Sequence, residues 1–180
     1  MSYADWRDVP VPYLMRALPK DHRGFPIPVV VLIDRDGKSH FAVNDHVKSH
    51  ACMVNRLCHI CGGPLKKGRY YFVGGPLSAG HGQYMDGPMH EQCGRYALKV
   101  CPYLAAPRYS QRIDYGTLDT AYLQWTFKDP LHTDERPNKF GFGRADRYTL
   151  LQVDGLQYRY QVRLPWLSLE WWKDGEQVAG

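Results

Sequence analysis

Residues 29 to 33, VVVLI, form an apolar run of strand length. The polar DRDGK after them carries an Asp-Gly turn signal, and SHFAV then returns, so 26–43 reads as a β-hairpin. Asn44 or Asp45 is placed to cap a helix through HVKSHACMVNRL, residues 46–57. RYYFVGG (69–75) is the next strand, and the glycine- and proline-laden 76–88 reads as a loop. PMHEQCGRYALKVC (88–101) reads as a helix with Pro88 at its first position and Pro102 as its stop. Ahead of the hairpin, 1–28 is rich in proline and leaves room for one short helix in YLMRAL. Beyond it, 128–147 reads as a long polar loop. The end of the chain alternates aromatic and β-branched residues around Asp-Gly turns at 154–155 and 174–175.

This pattern predicts an α+β fold of three parts within one unit. They are a proline-rich segment and hairpin (1–47), a middle module (48–112), and a C-terminal loop with a β-rich segment (113–180). A chain of 180 residues with 44% apolar and 23% charged content buries a core without staples. No apolar run approaches membrane-spanning length, and MSYADWRDVP lacks the features of a signal peptide. The expected compartment is the cytoplasm.

Charge singles out the middle part. The net charge is 0 over residues 1–47, +7 over 48–112 and −2 over 113–180, so the excess of +5 comes from the middle window. That window is either a solvated face or a surface for phosphates or an acidic partner.

The same window holds all five cysteines: Cys52, Cys58, Cys61, Cys93 and Cys101. Cys58 and Cys61 stand at knuckle spacing, with Gly62 free to turn the chain beside them. His90 and Cys93 stand three apart at a predicted helix start, where i and i+3 share a face. Together they make a Cys3His set for one structural Zn2+. His81 is the rival for the fourth position. His46 and His50 share a helix face but read as exposed polar residues. His59, inside the knuckle, is expected to face solvent, and Cys52 and Cys101 are expected to pack in the core. A thioredoxin-like redox pair needs a helix running on from the first cysteine, and Gly62-Gly63-Pro64 breaks one.

The order of knuckle, strand and loop, then helix resembles the treble-clef class of zinc fingers over residues 56–102. RGFPIPVVV, LCHICGGPL, MHEQCGRYALKVCPYL and LEWWKDGEQV together resemble a family of small uncharacterised proteins of bacteria and their phages. That second resemblance implies a phage or prophage setting, a bacterial host's cytoplasm and no particular activity.

Enzymatic signatures are missing. An HNH nuclease needs a general-base histidine and a further metal ligand on its helix, and between 62 and 89 the sequence offers only His81. Four protein ligands leave no position for water on the metal. No phosphate-binding glycine loop, nucleophile elbow or deaminase pattern occurs. The expected role is therefore non-enzymatic binding. The first reading is nucleic acid held by Lys66, Lys67, Arg69, Arg95 and Lys99, with Tyr70, Tyr71, Tyr96, Tyr103 and Tyr109 stacking bases or simply packing. The second is a host protein, a defence or transcription factor, bound and inhibited by a surface that Trp166, Trp171 and Trp172 anchor unless they lie in the core. The third is a divergent HNH-like nuclease.

Overall fold

A computed structural model describes residues 6–106, 136–152 and 158–180, and its architecture is mixed α and β with antiparallel sheets. The first hairpin pairs β1 (Val31–Ile33) with β2 (Ser39–Asn44). Its turn is fixed by Asp34, whose carboxylate accepts from the N–H groups of Asp36 and Lys38, and by Gly37 at φ +80°. Helix α1 (His46–Asn55) follows, and its cap is Asp45, which accepts from the N–H groups of Val47 and Lys48. Among its described residues the proline-rich opening yields 3-10 turns, Trp6–Asp8 and Tyr13–Met15, in place of the expected short helix. Pro12 and Pro19 bracket too few residues to propagate one.

Strand β3 (Tyr70–Gly74) is where predicted. The stretch expected to be a loop is not one: it holds α2 (Pro76–His81) and the short β4 (Gln83–Tyr84). Pro76 suits the first helical turn and Gly82, at φ +70°, suits the left-handed end. The chemistry read as loop punctuation is helix punctuation.

Helix α3 spans Glu91–Val100 and begins later than Pro88. Met89 gives both its backbone groups to Tyr71, donating at 2.9 Å and accepting at 3.2 Å, so the lead-in stays extended. Pro102 ends α3 and opens the short α4 (Pro102–Ala105).

A second correction concerns 128–147. Residues 128–135 lie outside the described residues, but β5 (Phe140–Ala145) is an inner strand of the larger sheet, between β3 and β8 (Ser168–Lys173), with β9 (Glu176–Val178) at the edge. Its glycines suggested a loop. They are required because neighbours occupy the space a Cβ would take: at Gly143 it would stand 2.5 Å from the Trp166 ring, and at Gly141 2.9 Å from the Ala79 Cβ.

A third sheet orders β4, β7 (Tyr158–Val162) and β6 (Tyr148–Gln152). The turn at Asp174-Gly175 joins β8 to β9, with φ +50° and +81°. The turn expected at 154–155 lies outside the described residues. Among the described residues, two apolar clusters form the core. One packs Cys58, Cys93, Leu98, Phe140, Phe142 and Trp172, and the other is built on Phe72, Tyr84, Tyr160 and Val162.

The fold does not establish the treble-clef arrangement expected from the sequence. The knuckle precedes β3 and the ligand-bearing helix, but the partner strand of β3 is β5, far along the chain. The segment just before α3 meets β3 through the single Tyr71–Met89 bridge.

Candidate metal centre

The knuckle runs from Leu57 to Pro64, which form an isolated antiparallel bridge. Cys58 N–H donates to the Gly63 carbonyl and Gly62 N–H to the Cys58 carbonyl, both at 2.8 Å, and Gly62 takes φ +72°. This tight loop aims both thiols the same way. The other pair comes from the start of α3, where His90 is the N-cap residue and Cys93 lies in the first turn.

The four ligand atoms of Cys58, Cys61, His90 and Cys93 lie within 4.8 Å of one another, so these residues could hold one metal ion. It is the only such cluster among the described residues. Cys58 and Cys93 are fully buried, and Cys61 and His90 are half-buried.

The surroundings are those of thiolate ligands. Backbone N–H groups point at sulfur: Cys61 and His90 at Cys58 Sγ (3.5 and 3.4 Å), and Gly63 at Cys61 Sγ (3.4 Å). Each places a partial positive charge beside a group that must be anionic to bind metal. His90 Nε2–H donates to the Pro64 carbonyl at 3.1 Å, which fixes the tautomer and leaves Nδ1, 3.3 Å from Cys61 Sγ, with its lone pair facing the cluster. Hydrogen bonds from Cys61 and Cys93 pull the Cys58 thiol down. The resulting thiolate pushes the thiols of Cys61 and Cys93 up and raises His90. Three thiols competing for one charge are the arrangement a dication relieves.

His81 is exposed at the end of α2 and is not in the cluster, and neither are the exposed His46 and His50. Cys52 is buried and Cys101 half-buried, also outside it. His59 corrects the expectation of a solvent-facing ring, since it is only 4% exposed. Its Nδ1 accepts from Gly87 N–H at 3.1 Å, so Nε2 carries the proton and donates to the Tyr160 hydroxyl at 2.8 Å. Burial pushes its pKa down. The only hint in the sequence is the position between two ligands, which tethers the ring without saying where it points.

The predicted basic set is divided. Lys66, Lys67, Arg69 and Lys99 are exposed. Arg95 is committed internally: its guanidinium makes paired bonds to Glu170 (2.8 and 2.7 Å), another to Glu91 (3.0 Å), and stacks over Phe142. Tyr70, Tyr71 and Tyr96 are buried and Tyr103 is half-buried, while Tyr109 lies outside the described residues. Trp172 is core, Trp166 donates to the Ala79 carbonyl, and Trp171 lies under Lys139. Among the described residues no helix is long and apolar enough to cross a membrane.

In comparisons with known proteins, no family model matches the chain, and no curated protein or solved structure shows significant similarity to it. The resemblances to treble-clef fingers and to small phage proteins therefore rest on the quoted residues alone.

Proposed function

We propose that this chain is a non-catalytic, zinc-pinned protein that binds nucleic acid through the basic turn following its knuckle. A soft, four-ligand Cys3His set favours zinc in a closed tetrahedral site, treble-clef-like in its knuckle and helix, with a structural role. The resemblance to bacterial and phage proteins adds a bacterial cytoplasm as the expected setting.

The observation that carries the nucleic-acid reading is the turn Lys66–Arg69. Arg69 N–H closes it on the Lys66 carbonyl at 3.1 Å, and Gly68 sits third in it at φ +77°. Lys66, Lys67 and Arg69 all project to solvent, and among the described residues none pairs with a carboxylate. The turn is anchored on both sides. Leu65 N–H donates to the Arg56 carbonyl at 3.0 Å, and β3 begins at Tyr70. On a short fixed turn the backbone loses little further freedom on meeting phosphates, so the ordering cost falls mainly on the side chains.

A mobility-shift assay with mixed duplex and single-stranded probes tests this. Wild type is expected to shift them at low salt. The triple variant Lys66→Glu, Lys67→Glu, Arg69→Glu should shift nothing while keeping its zinc. If wild type shifts neither probe at micromolar concentration, the reading is wrong and an acidic protein becomes the expected partner.

A further inference from the structure

Beside that turn lies a groove of about 370 Å3 that the sequence does not announce. Its walls include Arg56 at the end of α1, Lys67 on the basic turn, Tyr70 on β3, Asp146 and Arg147 between strands, and Tyr148 on β6. Asp146-Arg147 is the two-residue link by which the chain leaves β5 in one sheet and enters β6 in another. Three cations therefore converge only in the folded chain. Among the described lining residues the one carboxylate is Asp146, paired with Arg147 at 3.3 Å, which leaves the charges of Arg56 and Lys67 unmatched there.

Arg56 has a backbone that argues for its side chain. It ends α1 at φ +53°, ψ +49°, the left-handed conformation that glycine adopts without strain and arginine does not. The site thus carries a residue in a strained backbone conformation that lines the groove. Tyr148 supplies the other element. Its ring meets Tyr70 edge-on at 4.9 Å and 87°, also packs against Phe72 and Tyr160 at 5.8 and 5.5 Å, and is half-buried, so its remaining exposed part borders the groove. Burial pushes its hydroxyl up, and the charge of Arg56 offsets part of that.

The volume is that of a small-ligand pocket. In a duplex the bases are paired and stacked away from such a groove, and only phosphates would reach its rim. An unpaired nucleotide satisfies both the cations and the aromatic wall. We propose that this groove takes one nucleotide of a single strand, its phosphate on Arg56, Lys67 and Arg147 and its base against the Tyr148 ring. The proposal rests on the nucleic-acid reading above and adds a preference for unpaired over duplex strands.

The test measures fluorescence anisotropy of the full zinc-loaded chain with labelled oligothymidylate and with a hairpin duplex of equal phosphate count. Arg56→Gly should weaken oligothymidylate binding by about tenfold, the loss of one charge-assisted contact, and duplex binding much less. Its melting temperature should be unchanged or higher, because glycine accepts the backbone conformation. Arg147→Gln should show the same selectivity. Lys66→Glu with Arg69→Glu, outside the groove, should weaken both probes alike. If wild type binds both probes but Arg56→Gly and Arg147→Gln weaken neither, or both equally, the groove proposal is overturned and the basic turn stands. If wild type binds neither probe, both readings fall together.

Discussion

Arg95 on α3 and Glu170 on β8 face each other fork to fork, with paired hydrogen bonds of 2.8 and 2.7 Å. The contact ties the helix that carries His90 and Cys93 to the central sheet, and it spends on the interior a cation that the sequence offers as a surface charge.

The first prediction follows from this pair. Glu170→Gln should lower stability by about 1–2 kcal/mol, discounted because the pair is part exposed. The hydrogen bonds from Arg95 hold the Glu170 carboxyl below its ordinary 4.5. A depressed carboxylate stabilises the fold fully above the unfolded value, and that contribution is lost as pH falls through the folded one. The gap between wild type and Glu170→Gln in denaturant titrations should therefore be full at pH 7 and narrow below pH 4.5.

Metal content is the second. Protein purified without chelator should contain one equivalent of zinc by elemental analysis. Cys93→Ala should lose it, whereas Cys52→Ala and Cys101→Ser should retain it, since both thiols lie outside the cluster. Release of zinc by Cys101→Ser would mean the ligand set is wrong. A strong chelator should lower the melting temperature sharply, because an ion held by these four residues would join the knuckle to α3.

A third concerns the buried His59–Tyr160 contact. Tyr160→Phe leaves the Nε2–H of His59 without its partner in a site where His59 is 4% exposed. The expected cost is about 1–3 kcal/mol in urea unfolding, with zinc content unchanged. A loss of zinc in that variant would show that the contact positions the knuckle itself.

Gly94→Ala tests the packing of α3. In an isolated helix the change would be favourable by about 1 kcal/mol. Here a Cβ would stand 2.6 Å from Phe142 Cε2 and 3.1 Å from Met89 Sδ. Overpacking should win, for a net loss of about 1–3 kcal/mol in thermal or chemical denaturation.

The last prediction is for salt. On single strands, log–log plots of affinity against salt should fall with a slope of about −0.7 for each phosphate neutralised. Lys66→Gln should reduce the magnitude of the slope by roughly one such step, and Lys99→Gln, in the last turn of α3 and not part of the basic turn, should leave it nearly unchanged.

Much of the candidate site is legible in the sequence, because its logic is local. Cys58 and Cys61 lie in one turn of chain, His90 and Cys93 at the N-cap and first turn of one helix, and side-chain chemistry at such spacing needs no knowledge of the rest. The first hairpin, the Asp45-capped helix and the Asp174-Gly175 turn are legible for the same reason: neighbouring residues fix them. What only the tertiary structure decides depends on partners distant in the chain. Gly141 and Gly143 read as loop until the Ala79 methyl and the Trp166 ring take the space above them. His59 reads as exposed until Tyr160 arrives to accept from it, and Arg95 reads as a surface cation until Glu170 closes on it. Side-chain direction in an irregular knuckle, and the fate of a long flexible cation, are set by packing energies between segments. No periodicity within a segment records them.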